Sequence, residues 1–143
     1  MSRVTIEQLG EFFRREARGG ITGEAFQEFL DKAAKMGFKS LFAKMIKAAR
    51  KAASECSDTH FRSCAFAEIA KALAQAKDFE AARKAASECS DTHLRSCAFA
   101  EIAKITGEAK DFEAARKAAS ECSDTYRRSC AFAEIAKALA QAM

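Results

Sequence analysis

The sequence predicts an all-α protein built as an array of helical hairpins, and three observations predict it. First, the segment 48–80 recurs almost letter for letter at 81–113 and again from Ala114 onward, a 33-residue period. A fixed period of that length marks a repeat array, in which each unit buries its apolar face by stacking on its neighbours. Second, the chain has no proline and is rich in alanine, the best helix former. Third, strand signals are nearly absent: Val4 is the sole valine, and no stretch alternates apolar with polar residues.

The copies differ little. The second departs from the first at 5 of 33 positions: Phe61/Leu94, Ala72/Ile105, Leu73/Thr106, Ala74/Gly107 and Gln75/Glu108. The third departs from the first at 3 of 30: His60/Tyr126, Phe61/Arg127 and Lys77/Met143.

Helix signals run in order along the chain. Thr5 and Gln8 form a capping box ahead of Ile6, Leu9, Phe12, Phe13 and Ala17, and Gly19-Gly20 stops this first helix. Thr22 caps a second helix carrying Phe26, Phe29, Leu30 and Ala33, with Gly37 as its stop. Ser40 opens a third, running through Leu41, Phe42, Met45, Ile46 and Ala49 to about Cys56. After the linker Ser57-Asp58-Thr59 comes a longer helix, with Phe61, Ala65, Ile69, Ala72, Leu73 and Ala76 expected on its buried stripe. Lys77-Asp78 makes a tight turn with Asp78 as N-cap, and a shorter helix buries Phe79, Ala82, Ala85, Ala86 and Cys89. The same unit recurs from Asp91 and from Asp124, ending with a helix over 124–142. This reading gives about eight helices, with residues 1–40 as a helical cap and 41–143 as the array. Connections this short make neighbouring helices antiparallel.

The unit resembles the tetratricopeptide repeat, a helix–turn–helix module of protein-interaction scaffolds. The likeness lies in FAEIAKALAQAKDFEAARKAASEC, Phe66–Cys89. Phe66 stands at the first large aromatic position, Ile69-Ala70 in place of a Leu-Gly pair, and Leu73 at the next large one. Lys77-Asp78-Phe79-Glu80 parallels the turn, and Ala82 stands at the small crossing residue. The sequence departs from that family in lacking the turn glycine and the final proline, and in its period of 33. The resemblance implies a right-handed α-solenoid whose longer helices line a concave groove. In the subfamily that binds C-terminal carboxylates, Lys, Asn and Arg point into that groove. The equivalent positions here are Ala67, Glu68, Lys71 and Ala100, Glu101, Lys104, so a carboxylate would meet a glutamate in every repeat.

Glu68/Lys71, Glu101/Lys104 and Glu134/Lys137 are i, i+3 pairs on the longer helices. With Gln75, Glu108, Gln141 and the nearby Arg62, Arg95 and Arg128 they form a candidate ladder for an extended peptide. As surface pairs they are worth roughly 0.2–0.5 kcal/mol each. The 24 basic and 20 acidic residues are interspersed, without the clustered basic face of a nucleic-acid footprint. Nearly uniform repeats also leave little room for an RNA-reading code. No apolar run approaches the roughly 18 residues of a bilayer span, and the start lacks the apolar core of a signal peptide. The expected compartment is the cytoplasm, where thiols stay reduced.

All six cysteines lie in the repeats, as Cys56/Cys64, Cys89/Cys97 and Cys122/Cys130, each pair spaced by eight. They read as small buried apolar residues or as disulfide staples across the joint between units. The cysteine-rich Sel1-like relatives of the tetratricopeptide repeat place a disulfide at such a joint with the same spacing, but those proteins are secreted. A metal site is not expected, since successive pairs sit a whole repeat apart and no four thiolates converge. His60 lies one turn before Cys64, and His93 before Cys97, but Tyr126 replaces the third histidine. No enzymatic activity and no cofactor are expected.

Three function classes follow. The first is a binding scaffold for a protein or peptide. The second is a unit copied by design or recent duplication and kept for its fold or self-association. The third is a redox-responsive array acting through the cysteine pairs. Arg127 makes the last unit more polar, yet Phe132, Ile135 and Leu139 remain, so end-to-end contact or a truncated array is expected at that helix.

Overall fold

A computed structural model describes residues 23–143. Among them are six α-helices and no strand: α1 (Gly23–Glu55), α2 (Thr59–Gln75), α3 (Phe79–Ser87), α4 (Thr92–Thr106), α5 (Ala109–Ser120) and α6 (Thr125–Ala142). The chain divides into two compact units, Met1–Lys47 and Ala48–Met143, and the second begins where the 33-residue repeat begins. The helix expected over 5–18 lies outside the described residues.

Within the first unit, Gly37 does not stop a helix. α1 runs straight through it, so the expected second and third helices are one. A lone glycine inside a helix costs only about 1 kcal/mol relative to alanine. Its neighbours Met36, Lys39 and Leu41 are good helix formers, and no break signal follows.

In the second unit, each longer helix opens on an aspartate. Asp58, Asp91 and Asp124 accept from the backbone N–H groups of Phe61, Leu94 and Arg127 at 2.9, 3.1 and 2.9 Å. These side-chain caps satisfy donors that the first helical turn leaves free. The longer helices pack in sequence, α2 on α4 and α4 on α6. α3 touches both α2 and α4, and α5 touches both α4 and α6. Each shorter helix returns along its longer one: the Cys89 thiol beyond the end of α3 donates to the Ser63 carbonyl near the start of α2, 3.4 Å away.

The core is rich in small residues. Ala70, Ala74, Ala82, Ala85, Ala86, Cys89, Ala98, Ala103, Ala115 and Ala119 are fully buried. The buried face of α2 is Ser63, Phe66, Ala67, Ile69, Ala70, Leu73 and Ala74. This corrects the expected stripe: Phe61 and Ala76 are exposed, and Ala65 and Ala72 are half-buried. The helices close over serine and alanine because small side chains let backbones approach, so the close-packed line follows size rather than hydrophobicity alone. The buried hydroxyls are satisfied. Ser96 Oγ donates to the Ala115 carbonyl at 3.0 Å, and Ser63 Oγ accepts from the Asp91 N–H at 3.2 Å.

The second copy turns differently from the first. Asp78 caps α3, accepting from the Ala81 N–H at 3.3 Å. Its counterpart Asp111 is not a cap, contrary to expectation. The Ile105-Thr106-Gly107-Glu108 quartet ends α4 early, α5 starts at Ala109, and Asp111 falls inside its first turn, fully buried.

Candidate functional site

All the ladder residues but Glu108, which precedes α5, are carried by α2, α4 and α6. Their lysines bond to the glutamate one turn earlier: Lys71 Nζ to Glu68 at 3.4 Å, Lys104 to Glu101 at 3.0 Å and Lys137 to Glu134 at 3.1 Å. A shallow hollow of about 80 Å³ between α4 and α6 draws together Cys97, Glu101, Lys104, Glu134, Lys137 and Gln141. Charges from both neighbouring longer helices reach Cys97: Glu134 from α6 and Lys71 from α2 both act on its thiol. The carboxylates and ammonium groups alternate across this face, an arrangement suited to matching charges of both signs rather than to concentrating one.

The rest of the predicted ladder lies elsewhere. Arg95 turns away to Glu121 at 2.9 Å and lines a different hollow, about 210 Å³, with Phe99, Ala114, Lys117 and Ala118. Arg128 donates to the Cys122 carbonyl at 3.4 Å. Glu108 accepts from Arg83 at 2.7 Å and pairs with Lys110. Gln75 is exposed at the end of α2, and Arg62 is half-buried near its start.

All six cysteines are free thiols. Cys89 and Cys122 are buried, and Cys56, Cys64, Cys97 and Cys130 are half-buried. Burial pushes the Cys89 thiol up to about 11 and raises Cys97 as well. Both shifts run opposite to the lowered pKa of a reactive thiolate. The thiol that acts electrostatically on Cys89 is Cys64, and the one that acts on Cys97 is Cys122. Each of these pairs lies within one hairpin, 25 residues apart, rather than eight residues apart across a joint. His60 Nε2 lies 3.6 Å from Cys64 Sγ and His93 Nε2 lies 3.9 Å from Cys97 Sγ. Among the described residues no three His, Cys, Asp or Glu side chains gather as a metal site. No described helix is long and apolar enough to cross a membrane.

Two ion-pair networks join residues far apart in the chain. Arg83 donates to both Asp111 oxygens at 2.8 Å, and Thr106 Oγ1 donates to Oδ2 at 2.7 Å. Burial opposes ionisation of Asp111, yet these bonds outweigh it and hold the carboxyl below its ordinary value. Arg127, expected as a polar disguise for the last unit, instead reaches the cap of α4. Its Nη2 bonds both Asp91 oxygens at 3.0 and 2.9 Å, while His60 Nδ1 stands 3.6 Å from Oδ2. One carboxylate thus ties together the starts of α2, α4 and α6. Burial opposes the Asp91 charge too, but the Arg127 guanidinium and the Leu94 amide hold its carboxyl below the ordinary value. The available signal was the lone exchange of an apolar residue for arginine at position 127.

No family model, curated protein or solved structure matches this chain.

Proposed function

We propose that the chain is a non-enzymatic helical-repeat scaffold, a tetratricopeptide-like right-handed solenoid with residues 1–40 as a cap and the array from 41, working in the cytoplasm. Its partner is an extended peptide or protein segment bearing alternating charge, laid across α2, α4 and α6. The observation that carries this reading is the row of Glu–Lys pairs repeated on three adjacent helices, with a shallow hollow between two of them. Each pair is at least partly solvated and worth only roughly 0.2–0.5 kcal/mol to the helix, so the row adds little to folding. A partner that exchanges its own charges with the row gains at every repeat.

A peptide-display selection on the 143-residue protein tests this. Enriched peptides should alternate acidic and basic residues. Reversing the row (E68K/K71E, E101K/K104E, E134K/K137E) should abolish their capture while helical circular dichroism is unchanged. Equal capture by the reversed protein overturns the reading.

Self-association is a second reading, favoured by the exposure of Phe132 and Leu139 on α6 at 40% and 41%.

A further inference from the structure

We propose that copies of this chain join head to tail, with α6 of one copy packing against segment 48–56 of the next. The inference rests on the self-association reading and is independent of the peptide-binding one.

The interior of the repeat unit supplies the template. In α2 and α4 one face is closed: Ser63 and Ser96, Ala67 and Ala100, and Ala70 and Ala103 are buried, as are Phe66 at 6% and Phe99 at 9% exposed. The shorter helices α3 and α5 help to close it, through Ala82, Ala85 and Cys89 and through Ala115, Ala118 and Cys122, all buried. The same face of α6 is open. Ser129, Phe132, Ala133, Ala136 and Leu139 are exposed, although Ala131, Ile135 and Ala138 on the side toward the preceding repeat remain buried.

The complement is carried by the same chain. Residues 48–56 read AARKAASEC, identical to 81–89 at α3 and 114–122 at α5. Yet their burial is one-sided. Ala53 is buried like its counterparts Ala86 and Ala119, whereas Ala52 is exposed and Ala49 and Cys56 are half-buried. Ala49, Ala52 and Cys56 follow helical spacing (i, i+3, i+7) and so share one side of α1. They correspond to Ala82, Ala85 and Cys89. One copy therefore presents an open longer-helix face, and the next presents an open shorter-helix side whose sequence already fits that face twice within the molecule.

The polar groups match as well. Ser96 Oγ donates to the Ala115 carbonyl, and Cys89 Sγ donates to the Ser63 carbonyl. In the joint, Ser129 takes the place of Ser96 toward the Ala49 carbonyl of the next copy, and Cys56 of the next copy takes the place of Cys89. The two surfaces differ, so the contact is heterologous: each joined copy still presents one open face of each kind, and growth continues past a dimer.

Sedimentation velocity over a concentration series tests this on the full chain. The weight-average mass should climb from 15.6 kDa without settling at a dimer. Phe132→Glu with Leu139→Glu should block one end, and Ala52→Arg the other. All three positions are exposed, and circular dichroism should show unchanged helix. Each variant alone should stay monomeric at every concentration. Mixed together, they retain one open face of each kind and should form a heterodimer of twice the monomer mass and nothing larger. A wild-type monomer at all concentrations overturns both this joint and the self-association reading. If wild type assembles but Ala52→Arg assembles equally well, or the mixture stays monomeric, the joint is wrong and self-association through α6 stands.

Discussion

After α2 the chain turns at Lys77, with φ 65°; after α4 it turns at Gly107, with φ 67°, three positions earlier in the repeat. The first turn is a Schellman closure, with the Asp78 N–H bonding the Leu73 carbonyl and the Lys77 N–H bonding the Ala74 carbonyl, both at 3.0 Å. It places a lysine in a backbone region that disfavours side chains. The second turn uses glycine, closes with one bond from the Gly107 N–H to the Ala103 carbonyl at 2.7 Å, and lengthens α5 at its start. The consequence is chemical. Asp78 stays exposed as a cap, whereas Asp111 is drawn into the helix and must be neutralised by Arg83 and Thr106. Four substitutions thus convert a surface cap into a buried ion pair between consecutive units.

The comparison is broken most severely at Asp111. Asp111→Ala leaves the Thr106 hydroxyl without its acceptor and the Arg83 guanidinium with Glu108 alone, and should cost about 3 kcal/mol in urea unfolding. Asp78→Ala removes only a cap and should cost about 1 kcal/mol. Equal losses would show that the two carboxylates do the same job.

Acid should weaken the Asp111 pair. The folded-state value of Asp111 lies below the ordinary carboxylate value of about 3.9, so the unfolded chain takes up its proton first. Its contribution is fully present above that value and is lost as pH falls through the lowered one. Stability should decline below about pH 4, and Asp111→Asn should remove part of that slope.

Gly107→Ala tests the backbone alone. A Cβ there would meet nothing within 4 Å, so the loss should be conformational, about 1 kcal/mol. The reciprocal change, Lys77→Gly, should stabilise the first turn by about 0.5 kcal/mol, the relief of the left-handed backbone being partly offset by glycine's greater freedom when unfolded. Thermal unfolding of the two variants should therefore move in opposite directions.

Transplanting the quartet sharpens the comparison without a large energy. Arg50 stands in the first unit of the pattern where Arg83 stands in the second, and it bonds Glu88 at 3.2 Å. Its Nη1 is buried with no hydrogen-bond partner among the described residues. Replacing Ala72-Leu73-Ala74-Gln75 with Ile-Thr-Gly-Glu should move the break forward and bring Asp78 to Arg50, the 28-residue offset of Arg83 and Asp111. A crystal structure of the variant with Asp78 still capping α3 would show that the quartet is not sufficient.

Legibility followed the physics of each signal. The caps at Asp58, Asp91 and Asp124 were readable because they act within three residues of chain. The shorter-helix face, Ala82, Ala85, Ala86 and Cys89, was readable from helical spacing. Gly37 misled because a weak local penalty was given the force of a break. The stripe on α2 misled because Phe61 is large and apolar yet exposed, while Ser63 is polar yet buried. In the candidate site, the i, i+3 pairs were legible, being local. The removal of Arg95 to Glu121, and of Glu108 to Arg83, was not, since both partners lie 25 or 26 residues away.

From the chain alone came the helical class, the 33-residue unit, the aspartate caps of the longer helices and the Glu–Lys row. All of these rest on interactions within a turn or two, or on identity between copies. Tertiary structure alone decided which small residues close the core, which cysteines are neighbours, where Asp111 goes, and that α6 and segment 48–56 keep open faces. Those outcomes depend on which helix lies alongside which, and near-identical copies differ in burial because only their neighbours differ.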